Sequence, residues 1–288
     1  MRSIAGFYRT GTATQGGFGE TLIDFNAGNA FNCLTTRTKR GDASVAGSCF
    51  ADVLSEHIAL TENECSALER LEERNRTLRR GSVLRRSNDA ADELFMLRAG
   101  TMMTYVLLDD GSRQILRFHF PGDMLGLSTL LYEEAPETIC ALTECTVCPF
   151  EKSSLSELIV EHPRLASMIL VYGQIERVAL TDRLAALGRT SAKARVGSLL
   201  LELRNRLRAT DKRVSDSFTL GLTQEEIGDA TGLTAVHVNR MLRQLEEERL
   251  IAREGGRVTI VDEAALMRAT NYVDRYCDLD LGWLPQGR

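Results

Sequence analysis

The chain is predicted to be an α+β protein in which a β-roll of the jelly-roll type leads through a long helix into a C-terminal winged helix-turn-helix. Three observations carry this expectation. Short apolar runs between Thr77 and Phe150 alternate with glycine-bearing turns. Apolar residues recur every three or four positions from Pro163 to Leu187. Residues 220–261 read as helix, tight glycine turn, helix and short hairpin.

A length of 288 residues suggests about two domains. Residues 1–50, with runs such as TGTATQGGFG, carry no helical period and no apolar stretch of signal-peptide type, and read as a flexible extension. From Asp52 to Glu73, apolar Val53, Leu54, Ile58, Leu60, Leu68 and Leu71 among acids suggest short helices. The roll, within residues 51–160, is expected to include strands Glu93 to Arg98, Met102 to Leu108 and Gln114 to Phe120, divided by Ala99-Gly100, Asp110-Gly111 and Pro121-Gly122. Pro163 opens the long helix of residues 161–188, on which Leu165, Met168, Ile169, Tyr172, Ile175, Val178 and Ala179 form a seam that needs a partner. Gly188, with Thr190-Ser191, is the expected break. A helix from Ala192 to Arg208 then buries Val196, Leu199, Leu200 and Leu203.

Within residues 189–270, Thr223 and Glu226 form a capping box, Ile227 and Ala230 point inward, Gly228 falls at a close helix approach and Gly232 at the turn, which Leu233 plugs. Thr234 caps the second helix. Val238, Met241, Leu242 and Leu245 are its core face, leaving Ala235, Val236, His237, Asn239, Arg240 and Arg243 outside. An α-helix fits the major groove, where Arg pairs with guanine and Asn with adenine through two hydrogen bonds each. Asn239 and Arg240 are therefore candidate base readers, and Arg243 a phosphate contact. Glu254-Gly255-Gly256-Arg257 between apolar pairs makes the wing. Residues 271–288 are left as a C-terminal tail.

The formal charge of −5 is unusual for a nucleic-acid binder, but residues 1–188 hold 19 basic against 25 acidic residues, and 189–288 hold 16 against 15. No transmembrane run exists. Cys33, Cys49 and Cys65 stand sixteen residues apart, too far for one loop to wrap a cluster. Cys145 and Cys148 form a C-x-x-C, but in a strand their thiols face opposite sides. Cys140, Cys145, Cys148 and Cys277 are expected as small buried hydrophobes, and Cys33, Cys49 and Cys65 as the more exposed thiols. His57, His119, His162 and His237 are scattered, so no metal site is assigned. Asp109-Asp110-Gly111 reads as a hairpin turn, and Gly16-Gly17-Phe18-Gly19 lacks the strand and helix of a nucleotide loop, so no enzyme is expected.

The segment TQEEIGDATGLTAVHVNRMLRQLEEERLI resembles the DNA-binding motif of the Crp-Fnr transcription regulators, with family-like features from about Leu54 to about Val261. The resemblance implies a cyclic-nucleotide-binding-like sensor roll and makes residues 161–188 a dimerisation helix. It also implies a homodimer reading an inverted repeat in double-stranded DNA, with RNA polymerase a partner if the protein activates; the lack of an apolar signal-peptide core behind Met1-Arg2 makes a cytoplasmic location the expectation. It places Thr223 and Gln224 at the DNA backbone, and Ala235, Val236, Asn239 and Arg240 at bases; with Thr234, His237 and Arg243 these form the expected DNA-binding set. Many relatives carry glutamate where Val236 stands; valine offers thymine a methyl surface instead and points to a different half-site.

Relatives that bind cyclic nucleotides hold the ligand at two stations, which here carry Gly122-Asp123 and Glu137-Thr138. A carboxylate repels a buried phosphate, and no arginine lies between Arg117 and Arg164. Neither a cyclic nucleotide nor an iron-sulfur cluster is therefore expected. The alternative reading is an iron-sulfur or thiol-based redox sensor of the same family.

Overall fold

A computed structural model describes residues 47–90 and 92–285. Two four-stranded antiparallel sheets form the roll. The first has the order β1 (Arg76–Leu78), β8 (Cys145–Glu151), β3 (Glu93–Ala99), β6 (Met124–Leu125). The second has the order β2 (Val83–Arg85), β7 (Thr138–Ala141), β4 (Met102–Leu107), β5 (Arg113–His119). The three strands expected from sequence are β3, β4 and β5, within a residue or two at each end.

The inner strands β3 and β7 are buried on both faces, which explains why β3 reads as an apolar run without alternation with polar residues. In β3, Phe95 and Leu97 face the roll interior while Leu94 and Met96 face the opposite side. There they meet helices α1 (Cys49–Ser55), α2 (Glu62–Leu71), α3 (Lys152–Glu161) and the start of α4 (Pro163–Arg189). In the second sheet, Met102, Ile139 and Ala141 point inward. Met103, Ile115, Phe118 and Cys140 point outward into a core shared with α5 (Ala192–Thr210), α6 (Gln224–Thr231) and α7 (Ala235–Glu247). The winged helix-turn-helix half is thus packed onto the roll through one continuous apolar core.

The long helix α4 runs unbroken through Gly188. The expected break falls slightly later, at Thr190 and Ser191, because Ser191 in extended conformation caps α5 by accepting from the Ala194 amide. The wing has three strands, β10 (Ile251–Glu254), β11 (Arg257–Ile260) and β9 (Ser217–Thr219), followed by α8 (Glu263–Thr270). Sequence reading identified neither β9, only three residues long, nor α8, whose cap is Asp262.

The tail returns to the roll. Tyr276 donates to Glu176 of α4 at 2.7 Å, Arg275 pairs with Asp182 at 2.6 Å, and Leu281 and Leu284 enter the core around α1 and α2. The expected flexible extension lies outside the described residues, apart from Gly47 to Phe50, of which Cys49 and Phe50 already belong to α1. No described helix is long and apolar enough to cross a membrane.

Where α5 meets the roll, Arg206 lies between the Asp123 carboxylate and the ring of Tyr276, 4.3 Å from its guanidinium carbon. Burial alone would raise the Asp123 carboxyl, but Arg206 and Arg117 draw it below its ordinary value. His119 bonds Thr104 at 2.6 Å and is held well below 6.5 by burial and by Arg117. The folded chain therefore keeps this imidazole neutral while the unfolded chain protonates it near pH 6.5. The resulting stability is full above that pH and declines as acid is added, down to the folded-state value. Chemical unfolding should show a midpoint that falls between pH 7 and pH 5, and His119→Gln should flatten that fall.

Candidate nucleic-acid interface

The helix-turn-helix forms for the local reasons its sequence suggests. Thr223 Oγ1 accepts from the Glu226 amide at 3.1 Å, and the Glu226 carboxylate accepts from the Thr223 amide at 2.7 Å. Gly232 ends α6 at φ +66°, a left-handed conformation that favours glycine. Gly228 permits the close approach of the turn: a Cβ there would stand 2.3 Å from the Leu233 carbonyl oxygen. Thr234 caps α7 by accepting from the His237 amide at 3.3 Å.

Val238, Met241, Leu242 and Leu245 are buried, which turns the other face of α7 outward. Val236 is 82% exposed, Arg240 and Arg243 are exposed, and Ala235, His237 and Asn239 are half-buried. Among the described residues, neither Arg240 nor Arg243 has an ion-pair or hydrogen-bond partner. Two exposed guanidinium groups one helical turn apart, beside an unengaged amide side chain, form a surface suited to a polyanion with patterned base edges.

The expected site residues divide into two sets. Those on α7 share one face. Thr223 and Gln224, both exposed, instead line a groove of about 590 Å³ between the start of α6 and the wing. The wing glycines Gly255 and Gly256 have φ of +55° and +82°, as a tight hairpin requires. Two features were missed in the sequence. Arg80 of the roll reaches the same groove, and Arg113 of β5 clasps Asp229 of α6 at 2.7 Å. No local pattern announces a pairing between residues 116 positions apart.

In the roll, Asp123 is engaged by Arg206, Glu137 accepts from Ser128 at 3.3 Å, and Thr138 accepts from the Ser87 amide at 3.0 Å. Cys145 faces the roll interior and Cys148 the helices, the opposite orientations that a strand imposes. Cys140 is also buried, but Cys277 is exposed, contrary to the expected burial, because it lies on the returning tail beside Asp274. Cys49 and Cys65 are half-buried, so the described thiol most open to solvent is Cys277; Cys33 lies outside the described residues. No cluster of three or more His, Cys, Asp or Glu side chains suited to a metal occurs among the described residues.

A roll joined through a long helix to a winged helix-turn-helix defines a class of transcription regulators, and comparison with known proteins agrees. Residues 75–162 match the cyclic nucleotide-binding domain family, and residues 194–269 match the Crp-like helix-turn-helix domain family. The transcriptional activator protein Anr of Pseudomonas protegens is 31% identical over 227 residues, spanning 78% of this chain and 89% of its own. The fumarate and nitrate reduction regulatory protein of Vibrio cholerae is 27% identical over 228 residues, with 78% and 88% covered. The solved structure of FixK2 from Bradyrhizobium japonicum superposes with a TM-score of 0.60 at 26% identity, covering 68% of this chain and 96% of that one. The chain belongs to the Crp-Fnr family of transcription regulators.

Gly228→Ala should destabilise the DNA-binding half by about 1–3 kcal/mol, because backbone must move to admit the methyl group. Thermal unfolding checks this.

Proposed function

We propose that the protein binds double-stranded DNA as a twofold-symmetric homodimer on an inverted-repeat operator, each α7 entering the major groove. The observation that carries this reading is the outward face of α7, where the guanidinium groups of Arg240 and Arg243 are exposed to solvent beside Asn239. Asn239 and Arg240 read base edges, Val236 and Ala235 offer apolar surface to thymine methyl groups, and His237 and Arg243 meet phosphates. Thr223 and Gln224 contact the backbone at the start of α6, and Thr234 fixes the first turn of α7.

Dimerisation is supported by α4. The expected seam is largely taken up by its own chain, since Leu165 and Met168 are buried and Ile169 and Tyr172 pack with them against α1, α2 and α3; the side of α4 left open carries Leu170, Leu180 and Leu184, which are 59%, 44% and 71% exposed. Two copies double the phosphate contacts of a domain whose own charge is near neutral, which makes a monomer a weak binder. The protein acts by binding in the cytoplasm rather than by catalysis. RNA polymerase is the partner if the sign of regulation is positive.

Redox sensing by the Cys49 thiol is opposed by its surroundings. Burial, with Glu72 nearby, pushes Cys49 up to about 11, so it stays a thiol rather than the reactive thiolate at neutral pH.

Selection of bound duplexes from a random pool should return an inverted repeat with half-sites about one helical turn apart. Arg240→Ala should then cost about 1–3 kcal/mol and relax one position per half-site; a uniform loss across all duplexes would make Arg240 a backbone contact. Leu184→Asp should leave the far-ultraviolet circular dichroism of the folded chain unchanged but shift sedimentation towards the monomer and weaken operator binding.

A further inference from the structure

We propose that residues 274–284 form a strap that fixes the winged helix-turn-helix half at one angle to α4, so that the two recognition helices of a dimer meet the duplex already set to its half-site spacing. The proposal rests on the reading of α7 as the recognition helix and adds how its pose is held.

The strap starts where the winged half ends. Asn271, at φ +53°, closes α8. Asn205 of α5 donates to the Asp274 carboxylate at 2.8 Å, and the same carboxylate accepts from the Tyr276 amide at 3.0 Å. The next two side chains then reach α4. Arg275 grips Asp182 through two nitrogens, at 2.6 and 3.2 Å, and the Tyr276 hydroxyl donates to Glu176 at 2.7 Å. The Arg206 guanidinium of α5 lies 4.3 Å from the centre of the Tyr276 ring. One residue of the strap therefore touches both helices that flank the break at Thr190 and Ser191. Further on, Leu281 packs against the core around α1 and α2, and Leu284 is buried in it.

The strap is the second of two ties between the halves. The first is the apolar core where β5 faces α6, with its Arg113 to Asp229 bond. A single tie beside a non-helical break leaves a rotation open, and a second tie at a separate point removes it. The competing account makes the tail a cover for the α1 and α2 core. Leu281 and Leu284 would suffice for that, whereas the contacts with Glu176, Asp182, Asn205 and Arg206 lie along α4 and α5 and join them to the end of α8.

The strapped arrangement leaves the working surfaces open. With the strap in place, Val236 on α7 and Leu184 on the open side of α4 are both exposed. The strap hides neither the reading face nor the seam, so it acts by preorganisation and not by occlusion.

The test uses the full chain, two strap variants and three operators. The variants are R275Q/Y276F, which removes polar contacts alone and decides the matter where the second fails to fold, and L281S/L284S. The operators carry the half-sites at the selected spacing or a single base pair closer or farther. On the selected operator the affinity of each variant should fall roughly tenfold, as follows when the competent pose drops to about a third of the population in each half. On the shifted operators the variants should lose less affinity than the wild type, because a freed half can follow the changed spacing. Without DNA, tryptic cleavage after Arg189, at the end of α4, should be faster in both variants. The chain's single tryptophan, Trp283, lies between the two leucine anchors and reports on the strap alone. Adding operator to the wild type should leave its quenching by acrylamide unchanged.

An equal fractional loss at every spacing would make the tail packing only and overturn the proposal. Tighter binding by either variant, or stronger quenching of Trp283 on adding operator, would overturn it too, because the strap would then oppose binding. A wild type that prefers no duplex sinks the reading of α7 alone. Cleavage after Arg189 then judges the strap, and an unchanged rate in R275Q/Y276F would overturn it.

Discussion

The structure depends on one buried ion pair at the meeting of its parts. Arg206 of α5 is bound by Asp123 of the roll, lies over Tyr276 of the tail, and stands 3.8 Å from Glu176 of α4. Arg117 of β5 bonds Glu176 at 2.7 Å and closes the cluster. Burying an arginine is costly unless its charge is met, and leaving one partner alone in such a place typically costs about 3–5 kcal/mol. Roll, long helix, DNA-binding half and tail are therefore held in one arrangement by a requirement that none satisfies alone.

The apolar packing runs the same way. Because the second sheet faces the roll interior with one side and α5 and α6 with the other, the roll core and the DNA-binding core are separated by a single layer of strands. That layer and the Arg113 to Asp229 clasp are where the roll touches α6, so a rearrangement of either part would be felt there by the other. Close-packed interiors transmit such changes as discrete shifts of arrangement. The tail adds a second tie, anchoring Leu281 and Leu284 among α1 and α2 far from where the wing ends.

Much of the candidate site was legible because it is built locally. The capping box, the turn glycines, the core face of α7 and the wing glycines each depend on residues within a few positions of one another, and side-chain chemistry decides them. The outward set on α7 followed by subtraction. The groove was hidden because Arg80 joins it from the other end of the chain. The burial of Cys277 was misjudged because cysteine usually behaves as a small core residue, whereas this one sits on a tail that packs through its leucines and Tyr276.

The sequence alone determined the identity and order of the main elements and which face of each recognition element is apolar, since hydrophobic period and capping act within a few residues. Tertiary structure decided what those faces meet: that the outer roll sheet shares its core with α5 to α7, that Asp123 is held by Arg206, and that the tail returns to α4. Those outcomes depend on distant residues, 83 positions apart for Asp123 and Arg206 and 100 for Glu176 and Tyr276, and only the folded chain brings their charges and surfaces within reach.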